Sequence, residues 1–270
     1  MIGVFDSGFG GLTILKEIRK KLPEYDYLYL GDNARAPYGT RSFDVVYEYT
    51  WQAVHYLLEH GCRLVILACN TASAKALRSI QQRNLIQYKD PQVRVLGVIR
   101  PTVEAIRDYT QTKHVGVVAT PGTVASESYV IETEKQDPAI CVTQEACPMW
   151  VPLIENNEHG NAGADYFVRK YMAELLQKDR LIDTIILGCT HYPLLLDKIR
   201  QVTPDNIRLL SQGEIVANSL ADYLVRHRDL EQTLSKEGNC RFLTTECPER
   251  FSESARMFLG EEIHTERIEL

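Results

Sequence analysis

The stretch Leu64-Val65-Ile66-Leu67-Ala68-Cys69-Asn70-Thr71-Ala72-Ser73-Ala74 joins an unbroken apolar run to a string of small and hydroxyl-bearing residues. A run without polar alternation is what a strand needs when both of its faces are covered. The small polar residues directly behind it suit a turn into a helix. Thr184-Ile185-Ile186-Leu187-Gly188-Cys189-Thr190-His191-Tyr192-Pro193 repeats the arrangement, again with a cysteine at the turn. Each cysteine thus stands just past the C-terminal end of a buried strand, where open α/β sheets bind their ligands.

Outward from these two stretches, apolar runs at 2–5, 27–30, 93–98, 115–119, 140–142, 207–210 and 241–243 read as further strands beside 64–68 and 184–187. Helical patterning covers 12–21, 43–60, 72–82, 102–109, 164–178, 193–202 and 213–227. Strand and helix in alternation predict right-handed crossovers, parallel sheets and the α/β class. A second internal echo sets Ile2-Gly3-Val4-Phe5-Asp6-Ser7-Gly8 against Val115-Gly116-Val117-Val118-Ala119-Thr120-Pro121-Gly122, at nearly the offset of the first. Two related halves facing each other would bring both thiols into one cleft. No Pro/Gly-rich linker marks a boundary between them.

The 270 residues are 44% hydrophobic and 24% charged, which suits one large or two modest domains and excludes disorder. No stretch approaches the roughly 18 consecutive apolar residues of a membrane helix. Met1-Ile2-Gly3-Val4-Phe5 reaches Asp6 without a charged leader, so no secretory signal is expected. With 30 Lys and Arg against 36 Asp and Glu, a net charge of −6 argues against a broad nucleic-acid surface. Cys62, Cys69, Cys141, Cys147, Cys189, Cys240 and Cys247 are odd in number and show no two-residue spacing. That pattern fits reduced cytoplasmic thiols better than disulfides or a structural metal. Cys62, Cys141, Cys240 and Cys247 read as structural, and Cys147, before Pro148, leans the same way.

Asp6-Ser7-Gly8-Phe9-Gly10-Gly11 follows the first strand and opens a helix. Its glycines permit a sharp turn and expose N–H groups to an anion, while Asp6 or Ser7 as a helix cap explains one polar residue equally well. Gly31-Asp32-Asn33-Ala34-Arg35-Ala36-Pro37-Tyr38-Gly39 is turn chemistry. It also offers Tyr38 and Gly39 to a ligand at a strand end. Cys69 and Cys189, each opening a helix, are expected to have lowered pKa values. One such cysteine is ordinarily a core residue; two in equivalent contexts point to chemistry.

In this order and over nearly the whole chain, the four motifs resemble the glutamate racemases of the cofactor-independent aspartate/glutamate racemase superfamily. Gly188-Cys189-Thr190-His191-Tyr192-Pro193 is the most specific of them. Aspartate racemases are similar in fold but typically carry Glu where His191 stands. Phe9 departs from the family's smaller aliphatic residue. The resemblance implies two facing α/β domains, one of residues 1–98 with 210–270 and one of 99–209. It also implies a homodimer, and D-glutamate as a precursor of peptidoglycan.

Inverting an α-carbon needs a base on one face and an acid on the other, and thiols reach both forms near neutral pH. By resemblance, Cys69 deprotonates D-glutamate with Asp6 beside it, and Cys189 deprotonates L-glutamate with His191 beside it. Ser7, Tyr38, Gly39, Asn70, Thr71 and Thr190, together with Asp6 and His191, match substrate contacts, and Glu155 is a further polar candidate. The family uses neither pyridoxal phosphate nor metal. Other readings are a racemase or isomerase of aspartate or another dicarboxylate, and an added role as an inhibitor of DNA gyrase, which some glutamate racemases have. Relatives activated by a cell-wall precursor carry an N-terminal extension, so no such activator is expected here.

Overall fold

Both cysteine-bearing turns leave strands from the interior of their sheets. A computed structural model describes residues 1–88 and 90–270. The strands are β1 (Ile2–Asp6), β2 (Tyr27–Gly31), β3 (Leu64–Leu67), β4 (Arg94–Gly97), β5 (His114–Ala119), β6 (Cys141–Ala146), β7 (Thr184–Gly188), β8 (Arg208–Leu210), β9 (Cys240–Thr244) and β10 (Thr265–Arg267). The helices are α1 (Leu12–Lys21), α2 (Phe43–Glu59), α3 (Asn70–Lys75), α4 (Leu77–Ser79), α5 (Leu85–Gln87), α6 (Ile99–Ile106), α7 (Pro121–Ala125), α8 (Ser128–Gln136), α9 (Trp150–Glu155), α10 (Ala162–Lys178), α11 (Leu196–Val202), α12 (Gln212–Arg226), α13 (Arg228–Glu231) and α14 (Pro248–Leu259).

The strands form a six-stranded sheet, ordered β10-β9-β2-β1-β3-β4, and a four-stranded sheet, ordered β6-β5-β7-β8. Every pairing is parallel. The run β2-β1-β3-β4 has the order and direction of β6-β5-β7-β8, so β1 corresponds to β5 and β3 to β7. This is the architecture behind the two sequence echoes. The central strands β1, β2, β3 and β7 are buried throughout, as their unbroken apolar runs require.

One continuous apolar cluster lies between the sheets. It joins Ile2, Val4 and Ile66 of the first to Val118, Ile185 and Leu187 of the second through Leu15 and Ile18 of α1 and Val216 and Leu220 of α12. The outer faces carry separate cores under α2 and α6. Among the described residues no helix is long and apolar enough to cross a membrane.

Several elements differ from the sequence reading. The helix expected over 72–82 starts at Asn70 and breaks at Ala76, and a π turn occupies Ile80–Asn84. The helix expected over 102–109 starts at Ile99, because Pro101 falls in its first turn, where no intrahelical N–H is needed. The weakly apolar α8 and α14 and the three-residue edge strand β10 lay below the threshold of the pattern. Two cysteines read as structural are exposed, Cys141 at the start of edge strand β6 and Cys247 at the cap of α14.

Trp150, with no exposed surface, anchors the loop after β6, its ring edge-on to Tyr192 at 4.7 Å and 6.1 Å from Tyr171. Trp150→Ala is expected to destabilise the fold by about 3–5 kcal/mol through loss of burial and the cavity left behind, read from urea unfolding.

Candidate active site

The loop after β1 closes on Asp6, which is fully buried. The amide of Gly8 donates to Asp6 Oδ2 at 3.0 Å, and the Thr190 hydroxyl approaches Oδ1 at 3.5 Å. Helix α1 is capped by Gly11 without a side-chain bond, so neither Asp6 nor Ser7 caps it. The glycines serve close approach: a Cβ on Gly10 would stand 2.3 Å from Thr190 Oγ1 and 2.4 Å from His191 Nδ1. Burial raises the Asp6 pKa, and the charge of His191 and the amides of Gly11 and Gly8 offset only part of that rise.

Cys69 caps α3, its Sγ accepting from the amide of Ala72 at 3.4 Å, with the Ser7 hydroxyl also at 3.4 Å. The expectation of a lowered thiol pKa fails here. Burial pushes Cys69 up to about 12 and the Asp6 carboxylate adds to it, against smaller opposing effects from the Ser7 hydroxyl and the Ala72 amide. A short helix turn offers one N–H; an almost dry pocket removes the water that would solvate a thiolate.

Around Cys189 the polarity is reversed. His191 Nδ1 lies 3.8 Å from Cys189 Sγ, and its Nε2 lies 3.2 Å from Glu155 Oε1. Burial works against a charged imidazole, but the bonds and charges of Cys189 and Glu155 outweigh it and raise the His191 pKa well above its ordinary value. Phe258 meets the imidazole edge-on at 5.8 Å, and Phe9 stacks on Phe258 at 6.3 Å. The extra bulk of Phe9 is therefore absorbed against α14.

Ser7, Tyr38, Gly39, Cys69, Asn70, Thr71, Glu155, Cys189, Thr190 and His191 all line one cavity of about 60 Å³. Asp6 sits outside that lining. A larger hollow of about 650 Å³ also touches Cys189 and Thr190 but includes neither Cys69 nor Ser7. The Tyr38 hydroxyl donates to the buried Asp32, which also accepts from Arg35 Nε at 2.7 Å and from Thr245 Oγ1 at 2.9 Å. The Thr71 and Thr120 hydroxyls meet at 2.9 Å, and the amide of Gly122 donates to the carbonyl of Gly39 at 2.7 Å.

Thr120, Val151 and Pro152, to which the motifs above assign no role, also line the cavity, as does the buried thiol of Cys147, which reads as structural in the sequence. Thr120 had a signal, as the counterpart of Ser7 in the echo of the glycine loop. Among the described residues one grouping has metal-binding donors, His114, Cys141 and Asp179, at the opposite strand ends. Its carboxylate is already taken by His114 Nδ1 at 2.7 Å and the Leu181 amide at 2.9 Å.

A sequence profile of the Asp/Glu/Hydantoin racemase family matches residues 12–220. The chain belongs to this family. A glutamate racemase from Roseobacter denitrificans is 42% identical over 97% of each chain. Among racemases of known structure, a glutamate racemase isoform from Bacillus anthracis superposes with a TM-score of 0.90 at 33% identity, covering 100% of this chain and 97% of that one. The Francisella tularensis glutamate racemase in complex with D-glutamate superposes at 0.87 with 32% identity, covering 99% and 97%.

Two outcomes follow for this racemase-family chain. At pH 7.5 iodoacetamide should modify exposed Cys141 and Cys247 first. It should reach the buried Cys69 far more slowly than an ordinary thiol, as peptide mass spectrometry will read. Gly10→Ala should leave the chain folded but displace Thr190 and His191, cutting turnover by at least about tenfold.

Proposed function

We infer that the protein interconverts L- and D-glutamate by proton transfer at the α-carbon between two thiols. The observation that carries this reading is Cys69 and Cys189, from corresponding strand ends of two like sheets, lining a single cavity. The choice of glutamate comes from its relatives, which are glutamate racemases.

The site is electrostatically lopsided. A thiol raised to about 12 holds its proton at Cys69. A cationic imidazole beside Cys189, itself held by Glu155, is a partner for negative charge on that sulfur. The resting arrangement is then set for L-glutamate: Cys189 takes the α-proton, and Cys69 returns its own to the opposite face. Completing that turnover leaves the thiolate on Cys69 and the proton on Cys189, the state that accepts D-glutamate. Ser7 Oγ and the Ala72 amide receive the charge at Cys69 in that half. On this reading Ser7, Thr71 and Thr190, which line the cavity, bind the substrate carboxylates and so stabilise charge as the carbon gives up its proton.

The same reading divides the chain into 1–98 with 210–270, and 99–209. It makes the protein a cytoplasmic homodimer that supplies D-glutamate for peptidoglycan.

The decisive experiment follows L-glutamate in deuterium oxide without added cofactor. Optical rotation and the α-proton NMR signal should decay together, aspartate serving as the comparison substrate; a flat rotation with purified, folded protein rejects the reading. Cys69→Ser and Cys189→Ser should each lose about 10²–10⁴-fold or more in both directions. Because the His191 pKa is raised on folding from 6.5, its contribution to stability is complete below about pH 6.5 and is lost as pH rises through the folded value. His191→Asn should abolish that slope in pH-dependent unfolding and lower turnover of L-glutamate.

A further inference from the structure

Asn70 follows Cys69 directly, and its carboxamide belongs to a closed ring of hydrogen bonds. Asn70 Nδ2 donates to Gln212 Oε1 at 2.6 Å, Gln212 Nε2 donates to the Tyr129 hydroxyl at 2.9 Å, and that hydroxyl donates to Asn70 Oδ1 at 2.8 Å. Each member gives to the next and receives from the one before. Such a cycle has one direction, and its bonds reinforce one another where water is excluded. Asn70, Tyr129 and Gln212 are at most 3% exposed. Gln212 Nε2 also donates to Thr102 Oγ1 at 2.8 Å, and Thr102 Oγ1 donates to the Val98 carbonyl at 2.7 Å.

The ring lies where the chain passes between the sheets. Val98 caps α6 just after β4 of the first sheet, and Gln212 opens α12 just after β8 of the second. Tyr129 comes from α8, and Asn70 from the Cys69 turn. Both crossings and both thiol-bearing halves therefore meet at one satisfied, nearly fully buried polar knot. An unpaired amide at this depth would cost its full desolvation, so the knot resists partial opening.

We propose that Gln212 is a positioning residue, which orients the Asn70 amide and holds the Cys69 turn in register with the half that carries Cys189. The ring consumes Oδ1 and one Nδ2 hydrogen of Asn70. The remaining N–H belongs to a residue that lines the cavity, where it meets a substrate carboxylate. If the amide turned over, Oδ1 would take that place and repel the carboxylate. The functional part of this proposal rests on the glutamate reading above.

The test uses Gln212→Met, which keeps the length and removes the amide, and Tyr129→Phe, which removes one hydroxyl. Each should lower kcat/KM for both enantiomers on the order of tenfold, chiefly through KM, as loss of a bond to a charged ligand does. The double variant should be no worse than either single one, since one ring is broken in all three. Amide hydrogen exchange at 69–72 should quicken at least about tenfold while 184–190 stays unchanged. A purely structural role gives a lower Tm with unaltered KM and additive losses, and that result overturns the proposal. If Gln212→Met does not fold, Tyr129→Phe carries both readouts. If the parent protein leaves glutamate unchanged, the glutamate reading fails, and the exchange pattern still decides the ring.

Discussion

On the two-thiol reading, this site is governed by the exclusion of water from two sulfurs that must each carry charge in turn. A proton bound to carbon leaves only for a base in a preorganised, poorly hydrated setting, yet that setting penalises a thiolate. The protein meets the conflict differently on its two sides. Cys189 has an imidazole whose other nitrogen is held by Glu155, so charge there is shared along a line of three groups. Cys69 has a hydroxyl, one backbone amide and a nearby buried carboxylate, and keeps its proton. The two halves are alike in backbone and unlike in electrostatics. A racemase needs that difference, because one group must begin as acid while the other begins as base.

Asp6 belongs to the same balance. Its carboxylate raises Cys69, while the charge of His191 lowers Asp6 in return. With Thr190 also reaching Asp6, the glycine loop of the first half is electrically coupled to the cysteine turn of the second. Gly10 makes this possible mechanically, since any side chain there would occupy the space of Thr190 and His191. The loop that first suggested an anion-binding turn thus also seats one half of the protein against the other.

The sequence made the strand ends legible, because a buried parallel strand writes itself as an unbroken apolar run and the turn after it is a fixed distance away. Cys69 and Cys189 stand out on that ground, while Ser7, Thr71 and His191 take their roles from the resemblance to the family. The direction of the Cys69 pKa does not, since it depends on how tightly the second half covers the first, which no local spacing encodes. Asp32 illustrates another limit. It stands in a quoted turn, but its work of holding Tyr38 requires Thr245 from the far end of the chain. Gln212 reads simply as a polar residue opening a helix until Asn70 and Tyr129 are brought to it. Long-range polar satisfaction is the part of a fold that sequence periodicity does not carry.

The cavity lined by the two thiols holds about 60 Å³, room for roughly four waters. Hydrogen bonds at its mouth include the Thr71–Thr120 hydroxyl pair and the amide of Gly122 on the carbonyl of Gly39. Water or a substrate carboxylate can satisfy each of these groups once they separate. At the crossings the situation is opposite, because Asn70 and Gln212 are nearly fully buried and bond to each other and to Tyr129. Breaking the bonds at the mouth therefore costs less than sliding at the crossings, which strands buried donors and acceptors. The two sets of hydrogen bonds thus differ in kind: those at the mouth exchange readily with water, while the ring of Asn70, Tyr129 and Gln212 ties the Cys69 turn to the helices at the crossings.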